Sequence, residues 1–154
     1  MKNTVGILGA GAWGTAIAKA VAEKGNSVQI WSFEKAVAED INANRRNSRY
    51  LPGVVLPEGV SASTDIRETA AGKEFIIIAV PSLFILGSVK SILTVPNIME
   101  GQSLIGVVTK GFITTDAGPR LIVSALEDYL PGFYKNNLVY ISGPSHAEEV
   151  GRGK

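Results

Sequence analysis

The sequence predicts an α/β fold, a doubly wound and mostly parallel sheet with helices on both faces. Three observations predict it. β-rich runs alternate with helical runs along the whole chain, the run EFIIIAV at residues 74–80 is apolar on both faces, and a glycine turn, GAGAWG at residues 9–14, joins the first strand to the first helix. A strand with no polar face belongs to a sheet covered on both sides, which is the usual state of a parallel sheet.

The elements follow in order. Thr4 to Leu8 is a β-rich run ending at Gly9. Beyond the glycines, Trp13, Ile17, Ala20 and Val21 recur at helical spacing, and Gly25 closes that helix. Val28 to Trp31 is the second strand, and Lys35 to about Asn44 the second helix. Asn47 to Pro57 carries two prolines and reads as a long ordered loop. Val60 to Ser63 is a short strand, and Thr64 or Asp65 caps a short helix ending near Gly72. Glu74 to Val80 is the buried strand; Pro81 and Ser82 end it and open a helix over Leu83 to Leu93. Ser103 to Val108 is the next strand, followed by Thr109-Lys110-Gly111. A helix over Arg120 to Leu130 puts Leu121, Ile122, Ala125, Leu126 and Tyr129 on its apolar side, and a last strand, Leu138 to Ser142, runs into GPSHAEEV.

Composition narrows the chemistry. With 154 residues, 45% of them hydrophobic and 19% charged, the chain suits one domain with a full core. A net charge of +1 offers no electrostatic case for nucleic acid or an anionic membrane. Without cysteine, disulfides, thiolate catalysis and Cys-type metal sites are excluded, which fits a reducing cytoplasm; no metal site is expected. The first apolar run meets glycines too soon for a signal peptide, and the longest, Phe75 to Val80, is too short to span a bilayer.

In a β-turn-α-β unit the three glycines have separate tasks. Gly9 permits the tight turn, Gly11 lets a pyrophosphate approach bare backbone, and Gly14 lets the helix pack against the strand. The helix N-terminus adds free N–H groups and a partial positive charge. The alternative is a plain turn, since a lone G-x-G-x-x-G is a weak signal; the strand and helix around it favour a dinucleotide. Glu34 stands twenty residues past Gly14, the distance of an acid that holds the ribose of NAD, but beyond the end of the strand. It is either that ligand or a solvated charge opening the second helix. Ser32 and Phe33 supply no cation for a 2′-phosphate, so NAD is favoured over NADP, with Arg45, Arg46 and Arg49 in the next loop as the residues that would reach one. Lys110, after the C-terminal end of a parallel strand, stands where ligands bind in such sheets and is a point charge for a carbonyl or phosphate oxygen; otherwise it is a surface lysine beside a turn. Gly143-Pro144-Ser145 follows the last strand at the same edge, with backbone and hydroxyl to offer, or is only a strand-ending turn.

GAGAWGTA at 9–16, NSRYLPG at 47–53, AVPS at 79–82, TKG at 109–111 and SGPSHAEEV at 142–150 follow one another in a set order. In this the chain resembles the NAD(P)-dependent glycerol-3-phosphate dehydrogenases, which interconvert glycerol 3-phosphate and dihydroxyacetone phosphate. The resemblance implies a Rossmann-type dinucleotide-binding domain over residues 1–154. It implies cofactor contacts at Gly9, Gly11, Ala12, Trp13, Gly14, Phe33, Lys110 and Ala147, and substrate contacts at Lys110, Gly143 and Ser145. Phe33 stands where bacterial members often carry a basic residue, which puts NADP preference in doubt. His146, the only histidine, falls where the family varies and is expected to pack rather than catalyse.

The resemblance also implies a proton-accepting lysine and a phosphate-gripping arginine in a helical C-terminal domain beyond Lys154. No catalytic residue is therefore expected in this chain, which reads as the nucleotide-binding part of a cytoplasmic, homodimeric enzyme feeding phospholipid synthesis. Two other classes remain at this point. A hydroxy-acid dehydrogenase would share GAGAWG but not TKG and SGPSHAEEV, and a non-catalytic NAD-sensing module would need neither Lys110 nor Ser145.

Overall fold

The computed structural model describes residues 2–115, 118–143 and 146–153. In chain order the elements are β1 (Thr4–Leu8), α1 (Ala12–Ala22), β2 (Ser27–Trp31), α2 (Lys35–Asn44), β3 (Val60–Ser63), α3 (Ile66–Ala70), β4 (Phe75–Ile78), α4 (Ser82–Ile92) and α5 (Pro96–Met99). β5 (Leu104–Val107), β6 (Phe112–Thr115), β7 (Gly118–Leu121), α6 (Ile122–Tyr129), a 3-10 turn at Gly132–Tyr134, β8 (Val139–Tyr140) and α7 (Ala147–Gly151) follow. Six strands form one parallel sheet in the order β3-β2-β1-β4-β5-β8, so the fold is doubly wound.

Strand alternation assigns the two faces. Val5 and Ile7 of β1, Val28 and Ile30 of β2 and Ile77 of β4 join Ala18, Ala22, Val37 and Ile41 in one core. Leu8, Ile76, Ile78, Ile105 and Val107 project the other way, into a core with Ile85, Val89 and Ile92 of α4 and Ile122 and Leu126 of α6. Each fully buried isoleucine or leucine contributes about 1.5–3 kcal/mol relative to exposure. The register sets Leu8 beside Trp31 and Ile78, so the strands end level, and the order reverses between β1 and β4. A crevice at that switch point is where doubly wound sheets bind ligands.

Several details differ from the sequence expectations. An antiparallel hairpin, β6 with β7, precedes α6, so Arg120 and Leu121 end a strand rather than begin a helix. Pro119 in β7 obscures it, although an isolated two-stranded hairpin tolerates proline. The last strand is shorter than Leu138 to Ser142, because β8 is an edge with both residues exposed. α1 buries Gly14, Thr15, Ala16, Ala18 and Ala22, while Trp13, Ile17, Ala20 and Val21 are only half-buried. Small residues let the helix approach the sheet closely, which decides the face over the larger side chains. α5 and the 3-10 turn are additional short elements. Tyr129, expected on the apolar side of α6 with Ile122, Ala125 and Leu126, is exposed. Asp65 caps α3 as expected, accepting from the backbone N–H of Arg67 (2.8 Å) and Glu68 (3.2 Å).

Candidate nucleotide site

The β1–α1 turn is constrained at each glycine differently. Gly9 has φ +121°, and a Cβ there would lie 2.8 Å from the Ala79 carbonyl oxygen. A Cβ on Gly14 would overlap the Gly9 carbonyl oxygen. A Cβ on Gly11 meets nothing within 4 Å, because this residue faces open space. Gly11 is also the N-cap of α1 and has no side chain to satisfy the first-turn N–H groups, which are thus available to an anion. Two glycines therefore serve the fold, and the third leaves room for a ligand.

The loop after α2 fastens this turn. Asn47 is 1% exposed, and its Nδ2 donates to the Ala10 carbonyl and to Thr15 Oγ1, both at 2.8 Å. Its Oδ1 accepts from the Tyr50 backbone N–H at 3.1 Å. In the sequence Asn47 is only the first residue of NSRYLPG; its burial and its partner 37 residues away give it a positioning role that spacing does not reveal.

A cavity of about 1170 Å³ opens at the C-terminal ends of the strands. Gly9, Gly11, Ala12 and Trp13 line one part of it, and Lys110 and Gly143 another. Lys110 Nζ donates to the Gly143 carbonyl at 3.2 Å, so two of the expected substrate residues meet across β5 and β8. Thr109 Oγ1, donating to the Val80 carbonyl at 2.6 Å, ties the end of β5 to that of β4. The third substrate residue, Ser145, lies outside the described residues. Ala147 is buried beside Ala16, Leu51 and Val54, where α7 packs on α1, and does not line the cavity itself. His146 is the exposed N-cap of α7, off the cavity, so the packing expected of it is not found.

At the other end, Phe33 is 87% exposed and lines the cavity, as does the exposed Phe84 of α4, which sequence reasoning missed. An unburied aromatic face beside a cavity suits a planar ring. Glu34 also lines this end and is engaged from both sides: the Arg49 guanidinium pairs with Oε2, and the Tyr50 hydroxyl donates to Oε1. The Glu34 carboxylate thereby holds the Tyr50 hydroxyl above its ordinary titration range. Of the three loop arginines, Arg45 pairs instead with Glu58 at 3.1 Å, and Arg46 flanks Asp40. Among the described residues no helix is long and apolar enough to cross a membrane.

The model of the NAD-dependent glycerol-3-phosphate dehydrogenase N-terminus matches residues 4–154. The glycerol-3-phosphate dehydrogenase [NAD(P)+] of Treponema denticola is 43% identical over 160 residues, covering 100% of this chain and 45% of its own length. The solved glycerol-3-phosphate dehydrogenase of Coxiella burnetii superposes with a TM-score of 0.82 at 31% identity, over 98% of this chain and 44% of that one. That of Saccharomyces cerevisiae gives 0.82 at 28%, over 99% and 45%. The chain thus spans somewhat under half the length of these relatives. The match begins in β1 and runs through the cradle, the Lys110 turn and α7, and on that ground the chain belongs to the family of NAD-dependent glycerol-3-phosphate dehydrogenase N-terminal regions.

Proposed function

We propose that residues 1–154 are the dinucleotide-binding domain of an enzyme that interconverts sn-glycerol 3-phosphate and dihydroxyacetone phosphate with NAD(H) or NADP(H). The observation that carries the proposal is the turn at Gly9–Gly14, whose middle glycine leaves space where a pyrophosphate fits. The names of the relatives, glycerol-3-phosphate dehydrogenase [NAD(P)+], support the chemistry. When bound, the nicotinamide supplies or accepts the hydride.

The residues of this chain then have binding roles. The backbone from Gly9 to Gly14, with Ala12 and Trp13, holds the phosphates; Phe33 covers the adenine. Lys110 presents its ammonium to the substrate and the cofactor, and Gly143 and Ser145 orient the substrate. Ala147 supports the cradle from behind through Ala16. The proton acceptor and the phosphate grip are assigned to a helical domain beyond Lys154, on the family resemblance. A cytoplasmic homodimer supplying glycerophospholipid synthesis completes the proposal; the absence of cysteine suits that compartment.

Calorimetric titration with NADH tests it. A Cβ added at Gly11 meets nothing within 4 Å, so Gly11→Val places its side chain in the open space. Losing two charge-assisted phosphate contacts, at about 1.5 kcal/mol each, weakens NADH binding ~100-fold. Equal affinity in the variant and the parent removes the phosphate-cradle reading.

A further inference from the structure

We propose that the Thr109 hydroxyl is a positioning group for the Lys110 end of the cavity. By capping the Val80 carbonyl it stops the pairing of β4 with β5 one step early, and so sets where the Lys110 turn stands against the nicotinamide half of a bound dinucleotide. The inference rests on the nucleotide-binding reading above.

The register shows what the hydroxyl replaces. β4 and β5 pair in parallel as far as Ile78 with Val107, and the Val108 backbone N–H donates to the Ile78 carbonyl at 3.0 Å. Along one strand of a parallel ladder, the acceptors facing a given neighbour recur at every second residue. The next on β4 is the Val80 carbonyl, whose backbone donor would be the Lys110 N–H. Among the described residues that bond is not made. The Thr109 hydroxyl donates to the Val80 carbonyl instead, at 2.6 Å. Val80 is buried, and its carbonyl keeps a partner in this way. A side chain therefore stands between the two backbones where the ladder would draw Lys110 down onto Val80.

The bond sits where the parts of the site meet. Ala79, Val80, Val108, Thr109 and Lys110 all line the cavity. The end of β4 also backs the glycine turn, since a Cβ on Gly9 would lie 2.8 Å from the Ala79 carbonyl oxygen and 3.0 Å from the Val80 nitrogen. It therefore touches the phosphate cradle on one side and, through Thr109, the Lys110 turn on the other. Toward β8, the Thr109 carbonyl receives a long contact, 3.5 Å, from the Tyr140 hydroxyl. In the proposed pose Phe33 marks the adenine end of the cavity, so the nicotinamide half falls at the Lys110 end. A hydroxyl spent on backbone rather than on the ligand acts by holding that wall in shape. A bond that served only the fold would, when lost, loosen both ends of the cavity. A positioning bond, when lost, weakens only ligands that reach Lys110.

The experiment is calorimetric titration of the 154-residue chain with NADH and with ADP-ribose, which lacks the nicotinamide, in the parent, Thr109→Val, Thr109→Ala and Thr109→Ser. Thr109→Val keeps the branched shape and removes the donor. Its NADH affinity should fall about fivefold, the range of one hydrogen bond, with ADP-ribose within about twofold of the parent. Thr109→Ala lacks the donor and puts no methyl against the carbonyl; it should follow Thr109→Val and carries the test where the valine disturbs the fold. Thr109→Ser keeps the donor and should match the parent with both ligands. A loss confined to NADH in the two variants without the donor, and restored by serine, supports the proposal. Unchanged NADH affinity in those two variants, equal losses for the two ligands, or a serine variant as weak as the valine overturns it, while ADP-ribose binding by the parent keeps the nucleotide reading intact. A parent that binds neither ligand removes the nucleotide reading and the positioning role with it.

Discussion

At the β1–α1 end of the cavity the turn is held by close backbone contacts and a buried side chain, whereas at the β5–β8 end the wall rests on a few hydrogen bonds and exposed side chains. Gly9 is closed in by Ala79, Gly14 by Gly9, and the Ala10 carbonyl by the buried Asn47. At the far end, Val139, Tyr140 and Ile141 are exposed, β8 has two residues, and Lys110 reaches Gly143 through a single bond at 3.2 Å. The difference separates two kinds of site residue. Cradle residues act through the backbone they permit, so changing them costs stability or space. Lys110 acts through a charged tip, so changing it should cost the fold almost nothing.

The largest expected effect sharpens that contrast within the cradle itself. In Gly14→Ala the new methyl overlaps the Gly9 carbonyl oxygen, which is backbone and cannot rotate away. Overpacking a tight site typically costs 1–3 kcal/mol, and a backbone clash belongs at or above ~3 kcal/mol. Urea denaturation should show that loss, while Gly11→Val should lose about 1 kcal/mol or less, the cost of replacing glycine at an N-cap. Equal stability of the two variants would break the division between fold glycines and the ligand glycine.

Next in size is Asn47→Ala. It strips the Ala10 carbonyl, Thr15 Oγ1 and the Tyr50 N–H of a shared partner in a buried place. An unsatisfied buried group costs about 1–3 kcal/mol, and the Thr15 hydroxyl, already 3.5 Å from the Ala10 carbonyl, compensates in part. The expected loss is ~2 kcal/mol in urea denaturation, with a several-fold weaker NADH titration. A loss below about 0.5 kcal/mol would show that the cradle stands without its second support.

What was legible in the sequence follows the same division. The glycine turn could be read because glycine spacing reports local backbone constraints, and the β4 strand because three successive isoleucines leave no wet face. The Asp65 cap was legible for the same local reason. Contacts between distant residues were not: Asn47 meets Ala10 across 37 residues, and Tyr50 meets Glu34 across 16. Glu34 had two readings, ribose ligand or solvated charge, and neither anticipated an ion pair with Arg49. The β6–β7 hairpin was hidden because its strands are four residues each and one holds a proline. Strand order alone sets Lys110 and Gly143 at one edge of the sheet, but their direct bond, between residues 33 apart, has no local signal in the sequence.

The smallest expected effect on this chain is that of Lys110→Ala, and it makes the contrast decisive. Lys110 is exposed, and the variant loses one hydrogen bond to the Gly143 carbonyl. Surface substitutions of this kind usually stay within ±0.5 kcal/mol, so the urea midpoint should barely move. NADH affinity should fall far less than in Gly11→Val, because the cradle is untouched. The 154 residues alone should not oxidise NADH with dihydroxyacetone phosphate, since the proposed proton acceptor lies outside them and acid–base help alone contributes ~10²–10⁴-fold. In the longer enzyme proposed above, the same substitution should lower kcat/KM much more than it weakens cofactor binding, if Lys110 acts as proposed, because an ammonium held against developing charge acts mainly in the transition state. Parallel assays of the 154-residue chain and the longer enzyme, each with and without Lys110→Ala, separate these outcomes. Turnover by the short chain would mean that its own residues supply the acid, and His146, exposed at the start of α7, would be the group to replace first. A large loss of stability in Lys110→Ala would instead move this residue from the charged-tip class into the class that holds the fold.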